Sequence, residues 1–255
     1  MNHSLAKRSL ALLSFAWSLL ASLTTAWAGF DHSLYDTLLK TYVKDGLVDY
    51  QALKEESRLD EYLAKLAEAD LDELESKNDK VAFWTNAYNA YTLKLITTYY
   101  PVSSIFDIKK PGYADPWKIP LARVAGTDYT LDQIENEILR PKWPDPRIHY
   151  ALVCAAMSCP QLRSEAYTAD RLDEQFDDQS AWFMIHRNEF DIKKRTAVLS
   201  KVYEWYAVDF GKDQTDALRT LIPHVEQNLA QALQKEAHKW KVSYVEWNWE
   251  LNEKK

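Results

Sequence analysis

The stretch RIHYALVCAAMSCP, residues 147–160, holds both cysteines of the chain, Cys154 and Cys159, five positions apart and just after a histidine that opens an apolar run. A histidine beside a thiol is half of an ion-pair nucleophile, half of a metal site, or packing next to a disulfide. Arg147 to Val153 reads as a buried strand, and a strand requires a sheet elsewhere in the chain. Alternation along that strand places His149 with Ala151 and Val153 and sends Cys154 to the opposite side. Cys159, beyond the turn-like AAMS and ahead of Pro160, folds back towards the histidine more easily, so the spacing favours Cys159 as a nucleophile. The competing reading is a Cys154–Cys159 disulfide closing a small loop.

Outward from this stretch the pattern is helical on the N-terminal side. Residues 32–43 carry Leu34, Leu38, Leu39 and Val43 at helical spacing, and further amphipathic segments are expected over 57–69 and 71–77. The longest helical pattern runs from Asp79 to Pro101, with Phe83, Ala90, Leu93 and Ile96 as its stripe and Asn86 and Asn89 on or beside the same face. Buried amides need partners, because each one left unpaired costs about 1–3 kcal/mol. They therefore either pin a neighbouring loop or line a site. Residues 102–129 look irregular, and a short helix follows in which Thr130 and Gln133 form a capping box and Glu135 sits beside the apolar face.

On the C-terminal side, Thr168 to about Asn188 reads as a helix. TAVLSKV and EWYAVDFG read as strands, or as one strand and an edge, residues 211–234 as a helix kinked by Pro223, and KWKVSYVEWNWELN as a final strand. The fold expected is α+β: a helical N-terminal region packed on a small antiparallel sheet. It is read as a single domain over residues 29–255, divided into a helical part (29–78), a core (79–190) and C-terminal strands and helix (191–255).

Residues 1–28 read as a secretory signal peptide. Lys7 and Arg8 precede an apolar run of only about 14 residues, and Ala26-Trp27-Ala28 is an A-x-A cleavage signal. The run is shorter than the roughly 20 residues a membrane-spanning helix requires, so a periplasmic or secreted location without a stable membrane span is expected. The formal charge is −7, and loss of the two leader cations lowers it further. An acidic chain makes a poor nucleic-acid binder, since phosphate contacts require clustered Lys and Arg. Ten Trp and fifteen Tyr leave many rings to line a groove. No metal is expected: the spacing H-x4-C-x4-C lacks the paired knuckle of structural zinc sites, and His186 and His224 stand alone. No nucleotide loop or other cofactor motif is present.

The runs FWTNAYNAYTLKLI (83–96), TLDQIENEILR (130–140) and DPRIHYALVCAAMSCPQLRSEAYTADRLDEQFDD (145–178) resemble the signatures of the domain of unknown function 547 family, over roughly residues 80–180. GLVDYQAL upstream and the Trp-rich C-terminus resemble the flanks of exported bacterial members. The resemblance implies a papain-like or transglutaminase-like cysteine-enzyme core with its elements in rearranged order, and a Cys-His-Glu set. Carried over residue by residue, that set is Cys159, His149 and Glu135, and Trp84, Asn86, Tyr88, Asn89 and Arg147 also match. Ala155 departs from the glycine that many members carry.

In this set His149 takes the thiol proton and Glu135 or an amide such as Asn89 orients the ring. Asn86 is a candidate oxyanion donor, and Trp84 and Tyr88 wall a groove. Arg147 either grips a substrate carboxylate or makes a turn contact with Asp145. Two functions are expected to compete. One is a thiol-dependent hydrolase or acyl transferase acting on a small peptide, amide or glutathione-like thiol. The other is a non-catalytic binding or scaffolding protein of the same fold with a structural Cys154–Cys159 disulfide.

Overall fold

The computed structural model describes residues 29–254, so the signal peptide expected over 1–28 lies outside the described residues. Helices Ser33–Tyr42, Tyr50–Lys54 and Ser57–Ala67 pack on one another and on the central helix Lys77–Tyr99. The central helix starts at a capping box, in which Ser76 and Asp79 satisfy each other's backbone amides, and it is buried along most of its length. No described helix is long and apolar enough to cross a membrane. The segment expected as a helix over 71–77 is only a single 3-10 turn, Leu71–Glu73.

Strands are short. The hairpin β1 (Val43–Lys44) with β2 (Leu47–Val48) and the hairpin β3 (Ala122–Val124) with β4 (Thr127–Tyr129) are separate two-stranded units. The second hairpin turns at Ala125 and Gly126, both at positive φ, where glycine carries no Cβ penalty. The remaining sheet comprises β5 (Glu189–Asp191), β6 (Thr196–Leu199) and β7 (Lys241–Tyr244) in the order β5-β6-β7. Its β5–β6 pair is antiparallel and its β6–β7 pair parallel, so this sheet is mixed where an antiparallel one was expected. The reason is the long return through helices Gln214–Thr220 and Gln227–Glu236, which brings β7 back in the direction of β6; these helices are separated by a 3-10 turn at Pro223. The architecture is α+β, but the N-terminal helices pack on the central helix, not on the sheet.

Buried side chains form two clusters. One surrounds the central helix and the N-terminal helices; the other joins β6, helix Leu172–Arg187 and the C-terminal helices through Phe183, Leu199, Tyr203 and Leu218. Residues 147–153 lie at the boundary and are not a strand. Ile148–Ala151 is a short helix, with Ile148 and Ala151 in the first cluster and Tyr150 in the second. Asp145-Pro146 starts the turn: the Asp145 carboxylate accepts from the Arg147 N–H at 2.9 Å, and the His149 N–H donates to the Pro146 carbonyl at 3.1 Å. Among the described residues no strand lies alongside to satisfy an extended backbone there, so local i→i−3 bonding takes its place. EWYAVDFG is likewise two short helices, Val202–Trp205 and Ala207–Phe210, in place of the expected strand.

Both asparagines of the central helix are buried and doubly bonded. Asn86 donates to the Tyr167 carbonyl at 2.8 Å and accepts from its N–H at 3.0 Å. Asn89 donates to the Ala151 carbonyl and accepts from the Val153 N–H, each at 3.0 Å. Each carboxamide thus stands in for a neighbouring strand. Asn89→Leu should therefore cost about 1–3 kcal/mol in urea unfolding, through two backbone groups left unpaired; a loss below about 0.5 kcal/mol would contradict this role.

Candidate functional site

Where the two clusters meet, a cavity of about 290 Å³ is lined by Tyr88, Trp117, Glu135, His149, Cys154 and Tyr206, with Asp115, Asp132, Trp205, Trp247 and Trp249 around them. Three local devices deliver its polar groups. The short helix Ile148–Ala151 presents His149, and the Asn89 clamp ends that helix so that the chain carries Cys154 to the cavity. Glu135 comes from a π-helical turn, Ile134–Leu139, in which the Arg140 N–H donates to the Glu135 carbonyl. Pro141 lacks an N–H, which favours this break in the α-helical ladder.

His149 is almost wholly buried. Its ring stacks on Tyr206 with centroids 4.0 Å apart, and its Nε2 lies 2.7 Å from Asp209 Oδ2. Glu135 Oε1 is 4.0 Å from the opposite nitrogen, Nδ1. Arg140 Nε donates to the same Asp209 oxygen at 2.6 Å, and its guanidinium lies 4.9 Å from the Tyr206 ring centre. The hydrogen bond from His149, together with Arg140, holds the Asp209 carboxyl down at about 2 against the burial that opposes it. An ionised carboxylate can only accept, so Nε2 carries a proton, and in the neutral ring Nδ1 is the basic nitrogen. Burial and the Glu135 charge raise the Tyr88 and Tyr206 phenols, so both remain neutral donors beside that carboxylate.

The cysteines are placed opposite to the strand-based expectation. Cys154 is partly exposed and lines the cavity with His149, whereas Cys159 is 1% exposed and does not line it. The reversal follows from the helix, because at 3.6 residues per turn the strand alternation that separated His149 from Cys154 no longer applies. The two sulfurs are joined in a disulfide with a Cα–Cα distance of 5.9 Å, and the Cys154 N–H points at the Cys159 sulfur at 3.1 Å. Ala155 adopts a φ of 58°, the left-handed conformation for which glycine is best suited.

Of the other residues singled out in the sequence, Tyr88 and Glu135 reach the cavity. Asn86 and Asn89 do not line it; both ends of each amide are engaged with backbone. Trp84 is buried in the core, edge-on to Phe83 and Tyr129. Arg147 makes the turn contact with Asp145 and also bonds Asp173 and Asp177 at 2.8 and 2.9 Å, so its donors face three carboxylates away from the cavity. Among the described residues, no group of three or more His, Cys, Asp or Glu side chains is placed to hold a metal ion.

Asp209, Tyr206 and the tryptophans at 205, 247 and 249 were not identified from the sequence. Asp209 lies 60 positions from His149 in EWYAVDFG, a segment read as a strand, and no local pattern links it to the histidine. The tryptophans at 247 and 249 follow β7 on an extended arm, where alternate residues point to the same side and both reach the cavity.

The fold and site define an α+β protein with a buried histidine–carboxylate centre opening into an aromatic cleft. Residues 71–184 match the family model described as Protein of unknown function, DUF547, which supports membership of that family. No curated protein and no solved structure matches it. The matched residues include His149, Glu135 and both cysteines but not Asp209, Tyr206 or the C-terminal tryptophans.

The Asp209 carboxyl is held below its ordinary value of 3.8, so its contribution to stability is present above about pH 4 and is lost as pH falls towards about 2. Acid unfolding followed by circular dichroism should show a shallower stability loss between pH 4 and 2 in Asp209→Asn than in the unsubstituted protein. An unchanged slope would show that Asp209 is not held by His149 and Arg140.

Proposed function

We propose that the protein is an exported thiol-dependent hydrolase or acyl transferase whose nucleophile is Cys154, with His149 as its base and Asp209 as the group that orients the base. The observation supporting this reading is the edge-on clamping of His149. Asp209 fixes Nε2, which leaves Nδ1 as the basic nitrogen in the cavity that Cys154 lines. This is the division of roles expected of a papain-like cysteine-enzyme core, to which the family resemblance also points.

The reaction requires the reduced form. Nδ1 takes the Cys154 proton, the thiolate adds to an amide carbonyl, and the proton passes from the imidazolium to the departing amine. The thioester left on Cys154 is then opened by water in a hydrolase, or by another nucleophile in a transferase. Glu135 Oε1 lies 4.0 Å from the nitrogen that takes this proton. The lining supplies three carboxylates, five aromatic rings from the tryptophans and Tyr206, and no Lys or Arg among the described residues. A peptide or amide that is neutral or positively charged next to the scissile bond suits that surface better than an anionic one.

The second reading is a binding protein in which the disulfide is structural, and the disulfide itself is the observation that favours it. A cross-link closing so short a loop contributes about 2 kcal/mol in the chain-entropy picture.

A panel of fluorogenic amides, assayed after mild reduction, separates the two. The enzyme reading predicts turnover that Cys154→Ser abolishes and that falls at least a hundredfold in His149→Gln, with Cys159→Ser remaining active. Equal turnover in Cys154→Ser, or none in either redox state, would leave the binding protein.

A further inference from the structure

We propose that Cys154 and Cys159 form a redox-active pair that exchanges with a small or peptidyl thiol entering the cleft, with attack at the Cys154 sulfur and Cys159 as the leaving and resolving thiol. This activity goes beyond amide hydrolysis and does not depend on it. Exchange proceeds by in-line attack of a thiolate on a disulfide sulfur, so access decides which sulfur reacts. Access is unequal here: Cys154 lines the cavity, while Cys159 is buried. Burial alone makes a thiolate a poor leaving group, but the Cys154 N–H, 3.1 Å from the Cys159 sulfur, supplies a hydrogen bond to the charge that develops there.

The loop between the cysteines is held by the C-terminal arm. Ala156 bridges Leu251, the Met157 N–H donates to the Glu250 carbonyl at 2.8 Å, and the Ser158 N–H donates to the Asn248 carbonyl at 3.2 Å. With the backbone fixed on this arm, the two sulfurs stay close after the bond opens, so the return attack by Cys159 is intramolecular and fast. The same arm carries Trp247 and Trp249, which wall the cavity the incoming thiol enters.

The steps balance. An incoming thiol loses its proton and its sulfur bonds to Cys154, the Cys154–Cys159 bond breaks, and the Cys159 thiolate takes up a proton. A second thiol attacks the outer sulfur of the mixed disulfide, releasing a substrate disulfide and leaving Cys154 as a thiol. Two substrate thiols are oxidised and the protein disulfide is reduced by two electrons.

The test uses the full chain in its folded state, with 2-mercaptoethanol as probe and peptide mass mapping as readout. After brief exposure and acid quenching, the mercaptoethanol adduct should lie on Cys154 at least tenfold over Cys159. Folded Cys159→Ser treated with 2-hydroxyethyl disulfide should accumulate a stable adduct at Cys154, while Cys154→Ser should react at least tenfold more slowly at Cys159. An adduct distributed equally or favouring Cys159, or a disulfide that opens only when circular dichroism reports unfolding, would overturn the proposal. No amide substrate is involved, so these outcomes are independent of whether hydrolysis is found, and the mapping of the unsubstituted protein stands even if a variant fails to fold.

Discussion

The carboxamide of Asn89, bonded to the Ala151 carbonyl and the Val153 N–H, is the constraint on which the site depends. An amide buried in an apolar helix face is unfavourable unless both its ends are paired. Here the pairing is made to a chain segment 62 and 64 positions away, so folding of the central helix and placement of the site segment are coupled. Ile148–Ala151 is one turn long, far below the length at which a helix is stable alone. It persists because Ile148 and Ala151 are packed into one cluster, Tyr150 into the other, and its C-terminal exit is held by Asn89. Asn86 does the same for the chain at Tyr167, and the two amides together register residues 151–167 against the central helix.

Once the helix is placed, the charges of the site follow. Asp209 bonds His149 and Arg140 through one oxygen, and Glu135 approaches the ring from the other side. The orientation of the ring is fixed further by Tyr206, which stacks on one face. Geometry and electrostatics therefore leave a single ring nitrogen for chemistry.

The long elements were legible in the sequence because the 3.6-residue period is strong over Ser33–Tyr42 and Ser57–Ala67, and because the capping box at Thr130 and the stop at Pro101 are clear punctuation. His149, Glu135 and Tyr88 were found for the same reason, lying on or next to periodic segments or in a motif that resembles a known family. What failed was the identity of short elements. RIHYALV carries the apolar run of a strand, and only its lack of a partner strand and the Asp145-Pro146 start make it a helix. That one error reversed the expected places of Cys154 and Cys159. Asp209 and the tryptophans of the arm were illegible for a different reason: they join the site only through long-range packing, for which no local pattern exists.

The direct test of this arrangement is the tautomer of His149, read from ring nitrogen-15 chemical shifts and couplings in selectively labelled protein, with the pH raised until the shifts themselves report a neutral ring. The structure predicts the proton on Nε2, its N–H bonded to Asp209 and slow to exchange, with Nδ1 bare. A proton on Nδ1, or a ring that exchanges freely with solvent, would contradict the Asp209 clamp and with it the assignment of Nδ1 as the base.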